Sequence, residues 1–235
     1  MIYKKPKIRI VEFTHDLIDP RIIHALTEQG ERLTLTECIV PVKKGCKCPL
    51  YSDGKGHFFT LNHGQLGQVF DTFSPTNRTP GRQCHNGKRG NIYPHMRHFG
   101  NTHCHIIVLL SYLGPRPVGE DGKPFEADHK NGVVTDYSLD NLEWVSRKEN
   151  ARRRNVLAAL RSIGINLTDV PYRILDVFLN KDIVSDMSVL SSRLKRLLEL
   201  MPHCLTLEPD DFRRWLTMPA PDFDAMLALY TRNDS

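Results

Sequence analysis

Between Asp71 and Glu120 the chain has no acidic residue at all. The charges in that interval are Arg78, Arg82, Lys88, Arg89, Arg97 and Arg116, and a stripe of one sign suits a polyanion. Long apolar runs are also missing. None approaches the roughly 18 residues of a membrane span, so a soluble protein without a membrane partner is expected. The first residues, Met1-Ile2-Tyr3-Lys4-Lys5-Pro6-Lys7, lack the apolar core and small-residue cleavage site of an export signal, which leaves the cytoplasm as the expected location. Cysteine is sparse and scattered: of six, only Cys46 and Cys48 stand close together. That excludes a disulfide-held miniprotein and predicts thiols or metal ligands.

What is present is ordinary for a globular chain: 235 residues, 40% apolar, 25% charged, net charge +5. That length allows one large domain or two small ones. The pattern predicts an α+β protein in three parts: a mixed α/β region over 1–85 of unassigned role, a central domain over 86–160, and a helical region over 161–235. Residues 8–13 alternate like a strand. Asp19-Pro20 looks like an N-cap with proline at the first helical position, predicting a short helix to Gln29 stopped by Gly30. Residues 33–42 and 57–61 read as strands. From 74 to 90 Pro, Thr, Asn, Gly and Arg dominate, which marks a linker or a loop facing nucleic acid. A further strand is expected over 91–99, then a buried helix over 106–113 ended by Gly114-Pro115.

Cys46, Cys48, Cys84 and His85, with His57 and His63, are the residue types that tetrahedral zinc takes, but the second closely spaced pair is absent, and structural zinc is not expected. His103 and His105 would share a side only in a strand, and at the start of a helix they are read as satisfying backbone groups rather than a metal. In the last third, Met187, Leu190, Leu194, Leu197, Leu198 and Met201 recur at helical spacing, and further helices open at Pro209 and near Pro221. These could read DNA as a helix-turn-helix, or simply pack together, which the acidic Glu208, Asp210, Asp211, Asp222 and Asp224 favour.

The chemistry concentrates in Asp128-His129-Lys130-Asn131-Gly132 and Asp140-Asn141-Leu142-Glu143-Trp144-Val145-Ser146-Arg147-Lys148-Glu149-Asn150. Residues 125–129 and 142–145 read as strands, and Ser146 with Glu149 forms an S-x-x-E capping box, so a helix starts at Arg147 and runs to Gly164. This strand, loop, strand, helix order predicts that Asn150 meets Asp128 and His129 around one polar pocket. A carboxylate and an amide oxygen suit a hard cation such as Mg²⁺ or Mn²⁺, one per site and weakly held. An imidazole can take a proton from water near neutral pH. Lys130, Arg147, Lys148, Arg152, Arg153 and Arg154 are the residues expected to neutralise phosphates of duplex DNA.

The set Asp128-His129, Asn141 and Asn150, inside D-H-K-N-G and D-N-L-E-W-V-S-R-K-E-N-A-R, resembles the HNH endonucleases of the phage and intron homing type, over about 91–155. The resemblance implies a ββα-metal core, with His129 as general base, Asp128 and Asn150 as metal ligands and Asn141 as the amide that orients the histidine. It implies a metal-dependent nuclease that nicks or cuts duplex DNA, encoded by a phage or mobile element. Two Cys-x-x-Cys pairs that hold zinc in some of these enzymes are missing here. The alternatives are a degenerate, inactive DNA-binding relative and a zinc-organised nucleic-acid-binding module. Target sequence and oligomeric state are not encoded in any recognisable motif.

Overall fold

The computed structural model describes residues 7–40, 48–69, 94–96, 102–180, 187–200 and 202–233. By compactness the chain divides into two units, one formed by Met1–His129 and Val134–Trp144, the other by Lys130–Val133 and Val145–Ser235.

The first unit is built on an antiparallel meander: β1 (Ile10–His15), β2 (Ile22–Thr27), β3 (Arg32–Glu37), β4 (Leu50–Ser52), β5 (Phe58–Asn62) and β6 (Gln65–Val69), hydrogen-bonded in that order. One face is apolar. Ile23, Ala25, Leu33, Leu35, Tyr51, Phe59 and Leu66 form its core, as period-two alternation requires. The helix expected over 20–29 is therefore a strand. Its β-branched Ile22, Ile23 and Thr27 suit a pleated surface, and Asp19 makes a turn instead of a helix cap, its Oδ1 accepting from Arg21 N at 2.9 Å and its carbonyl from Ile22 N at 2.9 Å. Gly30, at φ +80°, closes the β2–β3 turn.

After β7 (His95–Met96) and β8 (Thr102–His103) comes α1 (Cys104–Tyr112), whose Cys104, Ile107, Val108 and Leu109 are fully buried. Each such aliphatic side chain is worth roughly 1.5–3 kcal/mol of burial. They share a core with Leu50 and Phe58 of the meander and with Tyr137 and Leu142 further on. Polar pins fix the same arrangement: Tyr112 Oη donates to Ser52 O at 2.8 Å, Ser111 Oγ accepts from Ile39 N at 2.9 Å, and Leu139 N donates to Gly54 O at 2.7 Å. Two short strands, β9 (Glu126–His129) and β10 (Leu142–Val145), pair with each other. A 3-10 turn over Leu139–Asn141 leads into β10.

The second unit is helical: α2 (Arg147–Ser162), α3 (Tyr172–Leu179), α4 (Met187–Leu200), α5 (Pro209–Thr217) and α6 (Ala220–Asn233). Leu157 and Leu160 of α2, Ile174 and Phe178 of α3, Leu194 and Leu197 of α4, Phe212 of α5 and Phe223 and Leu227 of α6 form one core. Phe178 and Phe212 meet edge to face at 5.3 Å, and Asp224 pairs with Arg196 at 2.7 Å. The C-terminal helices thus spend their apolar faces on one another. The expected boundary between residues 160 and 161 falls inside α2, because the apolar stripe of that helix belongs to this core. The boundary expected near residue 85, together with Cys46, Cys84, His85 and most of the acid-free stretch, lies outside the described residues. Among the described residues no helix is long and apolar enough to cross a membrane.

Candidate active site

Strand β9 becomes progressively buried toward its C-terminal end: Glu126 and Ala127 are half-buried, while Asp128 and His129 are 6% exposed each. The apolar neighbours that make this possible, Ala127, Leu139, Leu142 and Trp144, pack with Ile107, Val108 and Leu109 of α1. A carboxylate and an imidazole are costly to bury. Their placement side by side at a strand end is therefore a feature that packing alone does not favour.

Burial pushes the His129 imidazole down to about 4, against a smaller upward pull from the Asp136 carboxylate. The ring is neutral at pH 7 and able to accept a proton. His105, in the first turn of α1 and 7% exposed, lies against it with ring centroids 5.0 Å apart and planes at 77°. Burial, helped by the charges of His129 and His103, holds His105 lower still, at about 3. His103 contacts His105 at 5.4 Å. At the N-cap of α1, His103 makes no side-chain cap bond.

Asn141 is fully buried, and its Nδ2 donates to the Asp136 carbonyl oxygen at 2.6 Å. Asp136 also accepts from Ser138 Oγ at 2.7 Å, so the loop before β10 is tied by its own side chains.

The remaining expected site residues belong to the second unit. Asn131 Oδ1 accepts from Val133 N at 2.8 Å, closing a turn with Gly132 at φ +66°. Arg161 Nη2 donates to the Asn131 carbonyl at 3.2 Å. Lys130 pairs with Asp176 at 3.0 Å, which engages a charge expected to face phosphate. Helix α2 starts at Arg147, as its capping residue dictates, with Ser146 Oγ accepting from Glu149 N at 3.2 Å. Asn150 is half-buried in its first turns. Glu149 is clasped by Arg152 Nη2 at 2.6 Å and Arg153 Nε at 2.9 Å. Those bonds, Arg152 first, hold its carboxyl down at about 2 against burial. Arg152 also donates to the Leu179 carbonyl. Of the five cations expected on this helix, Arg147, Lys148 and Arg154 are exposed, while Arg152 and Arg153 are half-buried against Glu149. No period or spacing reveals Arg161. The capping box revealed Glu149, but not that two arginines hold it.

Among the described residues, no group of three or more His, Cys, Asp or Glu side chains is arranged to hold a metal ion. Cys48 faces Asn62 at 3.7 Å, and His57 is bound to Asp53 at 2.6 Å. The Asp128 carboxylate is a hard oxygen donor of the type a divalent cation takes alongside water and phosphate.

The buried Asp128 carboxylate and the neutral His129 imidazole thus stand side by side at the end of β9. Residues 102–152 match the sequence model of the HNH endonucleases, a span that includes His105, Asp128, His129, Asn141 and Asn150. No curated protein and no solved structure matches the chain.

Proposed function

We propose that the protein is a metal-dependent endonuclease that hydrolyses phosphodiester bonds of duplex DNA, of the homing type. The observation that carries this reading is the HNH match over 102–152 together with the buried Asp128–His129 pair inside it. Neutral His129 takes the proton of the attacking water and leaves it a hydroxide aimed at phosphorus. Asn141, fully buried in the loop before β10 and tied to Asp136, is the amide that orients the imidazole. The Asp128 carboxylate would hold one Mg²⁺ or Mn²⁺ together with water and substrate phosphate. When bound, such an ion supplies stabilisation of the charge developing on the phosphoryl and leaving oxygens. Few protein ligands mean weak binding before substrate adds its phosphate. Exposed Arg147, Lys148 and Arg154 neutralise backbone phosphates and give affinity without base choice.

The test uses supercoiled plasmid with Mg²⁺ or Mn²⁺, with and without EDTA, on wild type and His129→Ala. Wild type is expected to give open circles or linear DNA only with the metal, and the variant to bind DNA in a gel shift but leave the plasmid intact. Equal cleavage by both proteins would refute the role of His129. Open circles signify nicking, and linear product signifies cleavage of both strands.

A further inference from the structure

We propose that His105 is a positioning residue for His129, its ring fixing the orientation in which the imidazole of His129 receives the proton of the attacking water. This inference rests on the nuclease reading and adds to it a residue outside the Asp128, His129, Asn141 and Asn150 set.

From Cys104 to Leu110 helix α1 is apolar apart from His105, and Cys104, Ile107, Val108 and Leu109 are fully buried. At His105 this interior helix carries a 7% exposed imidazole, where a leucine would fill similar space without the cost of burying a polar ring. What the imidazole touches gives it a reason. Its centroid is 5.0 Å from that of His129 with planes at 77°, the edge-to-face geometry that aromatic quadrupoles favour and that constrains both the tilt and the slide of a ring. Both rings belong to the first unit, and α1 is anchored by its own apolar core and by Tyr112 and Ser111. His129 therefore rests against a rigid element. The N-terminal turn of a helix carries positive partial charge, which favours a neutral ring at His105. A neutral neighbour can lie against His129 both before and after His129 gains a proton, whereas a cation would repel it.

An imidazole that delivers or receives a proton must hold its nitrogen within hydrogen-bond reach of one water, and a displacement of about 1 Å can cost 100-fold in rate. Loss of the wall should thus lower turnover and leave DNA binding alone.

The experiment compares wild type, His105→Phe, His105→Leu and His105→Ala in the full chain, with His129→Ala as the reference for a dead site. kcat and KM are measured on plasmid, and melting temperatures confirm folding. The expected result is a fall in kcat of about 10-fold or more in the Leu and Ala variants with KM unchanged, and recovery to within about threefold in the Phe variant, which restores an edge-to-face ring. A Leu variant as fast as wild type makes His105 mere filling and overturns the inference alone. A Phe variant as slow as Ala overturns it too, because polar chemistry rather than ring packing would then be at work. A wild type that leaves the plasmid intact overturns the nuclease reading and this inference with it. Independently of activity, metal-free protein labelled at histidine should give nuclear Overhauser contacts between the His105 and His129 rings, with the His129 ring shifts altered in the Leu variant and largely kept in the Phe variant. Should Leu and Ala not fold, absence of those contacts in wild type overturns the proposal.

Discussion

Gly132, at the end of the D-H-K-N-G run, sits at φ +66°, where a side chain is strained whatever the room around it. A Cβ there would also come within 2.5 Å of Arg161 Nη2 and 3.2 Å of Leu157 Cδ1. Gly132→Ala is expected to cost about 1–2 kcal/mol in urea unfolding. Most of that cost should persist in an Arg161→Ala background, because the guanidinium can swing away whereas the backbone cannot. Full recovery in the double variant would locate the strain in the side-chain clash. Gly132 could be singled out from the sequence as a turn former, and so could Asp128 and His129 from their adjacency. His105 could not be read this way: its role depends on a ring 24 positions later, between Cys104–Tyr112 and Glu126–His129, being folded against it.

At the scale of an element, α2 begins where the S-x-x-E pattern says, and removing the cap with Ser146→Ala should cost about 1 kcal/mol. On the same helix the cations are not equivalent. Exposed Arg147, Lys148 and Arg154 can each release about one counterion from DNA, so alanine at any of them should reduce the slope of log K against log salt by about 0.9. Alanine at Arg152 or Arg153 should change the slope less, because Glu149 already engages both side chains. Equal slope changes at all five positions would contradict this division. Sequence spacing shows that Glu149 stands at i, i+3 and i+4 from these arginines, but solvent exposure, which decides whether a charge meets a phosphate, follows from packing. The strand at Ile22–Thr27 teaches the same lesson from the other side. Asp19-Pro20 and Gly30 satisfy both helix rules and strand-turn rules, and pairing with neighbouring strands on either side selected the strand.

Across the whole molecule, the apolar residues form separate clusters, with those of the meander and α1 in the first unit and that of the helices in the second. Each unit has its own tryptophan: Trp144 packs on the α1 core and Trp215 on the helical core. In metal-free protein, His105 and His129 are held neutral below their ordinary value of 6.5. The unfolded chain binds protons before the folded one does, so their contribution is complete above pH 6.5 and declines as pH falls toward about 4. Glu149, held down at about 2 from 4.5, contributes in the opposite unit and loses its contribution only as pH falls below 4.5. Urea midpoints read by Trp144 in a Trp215→Phe variant should therefore drop between pH 6.5 and 4.5, while those read by Trp215 in a Trp144→Phe variant hold steady. Parallel shifts in both signals would mean that the clusters unfold as one.

Residue identity and spacing along the chain were enough to determine the chemistry on offer: an acid beside an imidazole, two amides, a capped basic helix, and a resemblance to the HNH endonucleases that the match over 102–152 bears out at the level of the family. These are local facts, carried by neighbours within a turn or a strand. Only the tertiary structure decided which charges stay exposed, which unit each motif residue joins, and that a histidine from α1 lies against His129. Burial and contact between distant segments arise when separate apolar faces close on one another, and no stretch of sequence holds that information by itself.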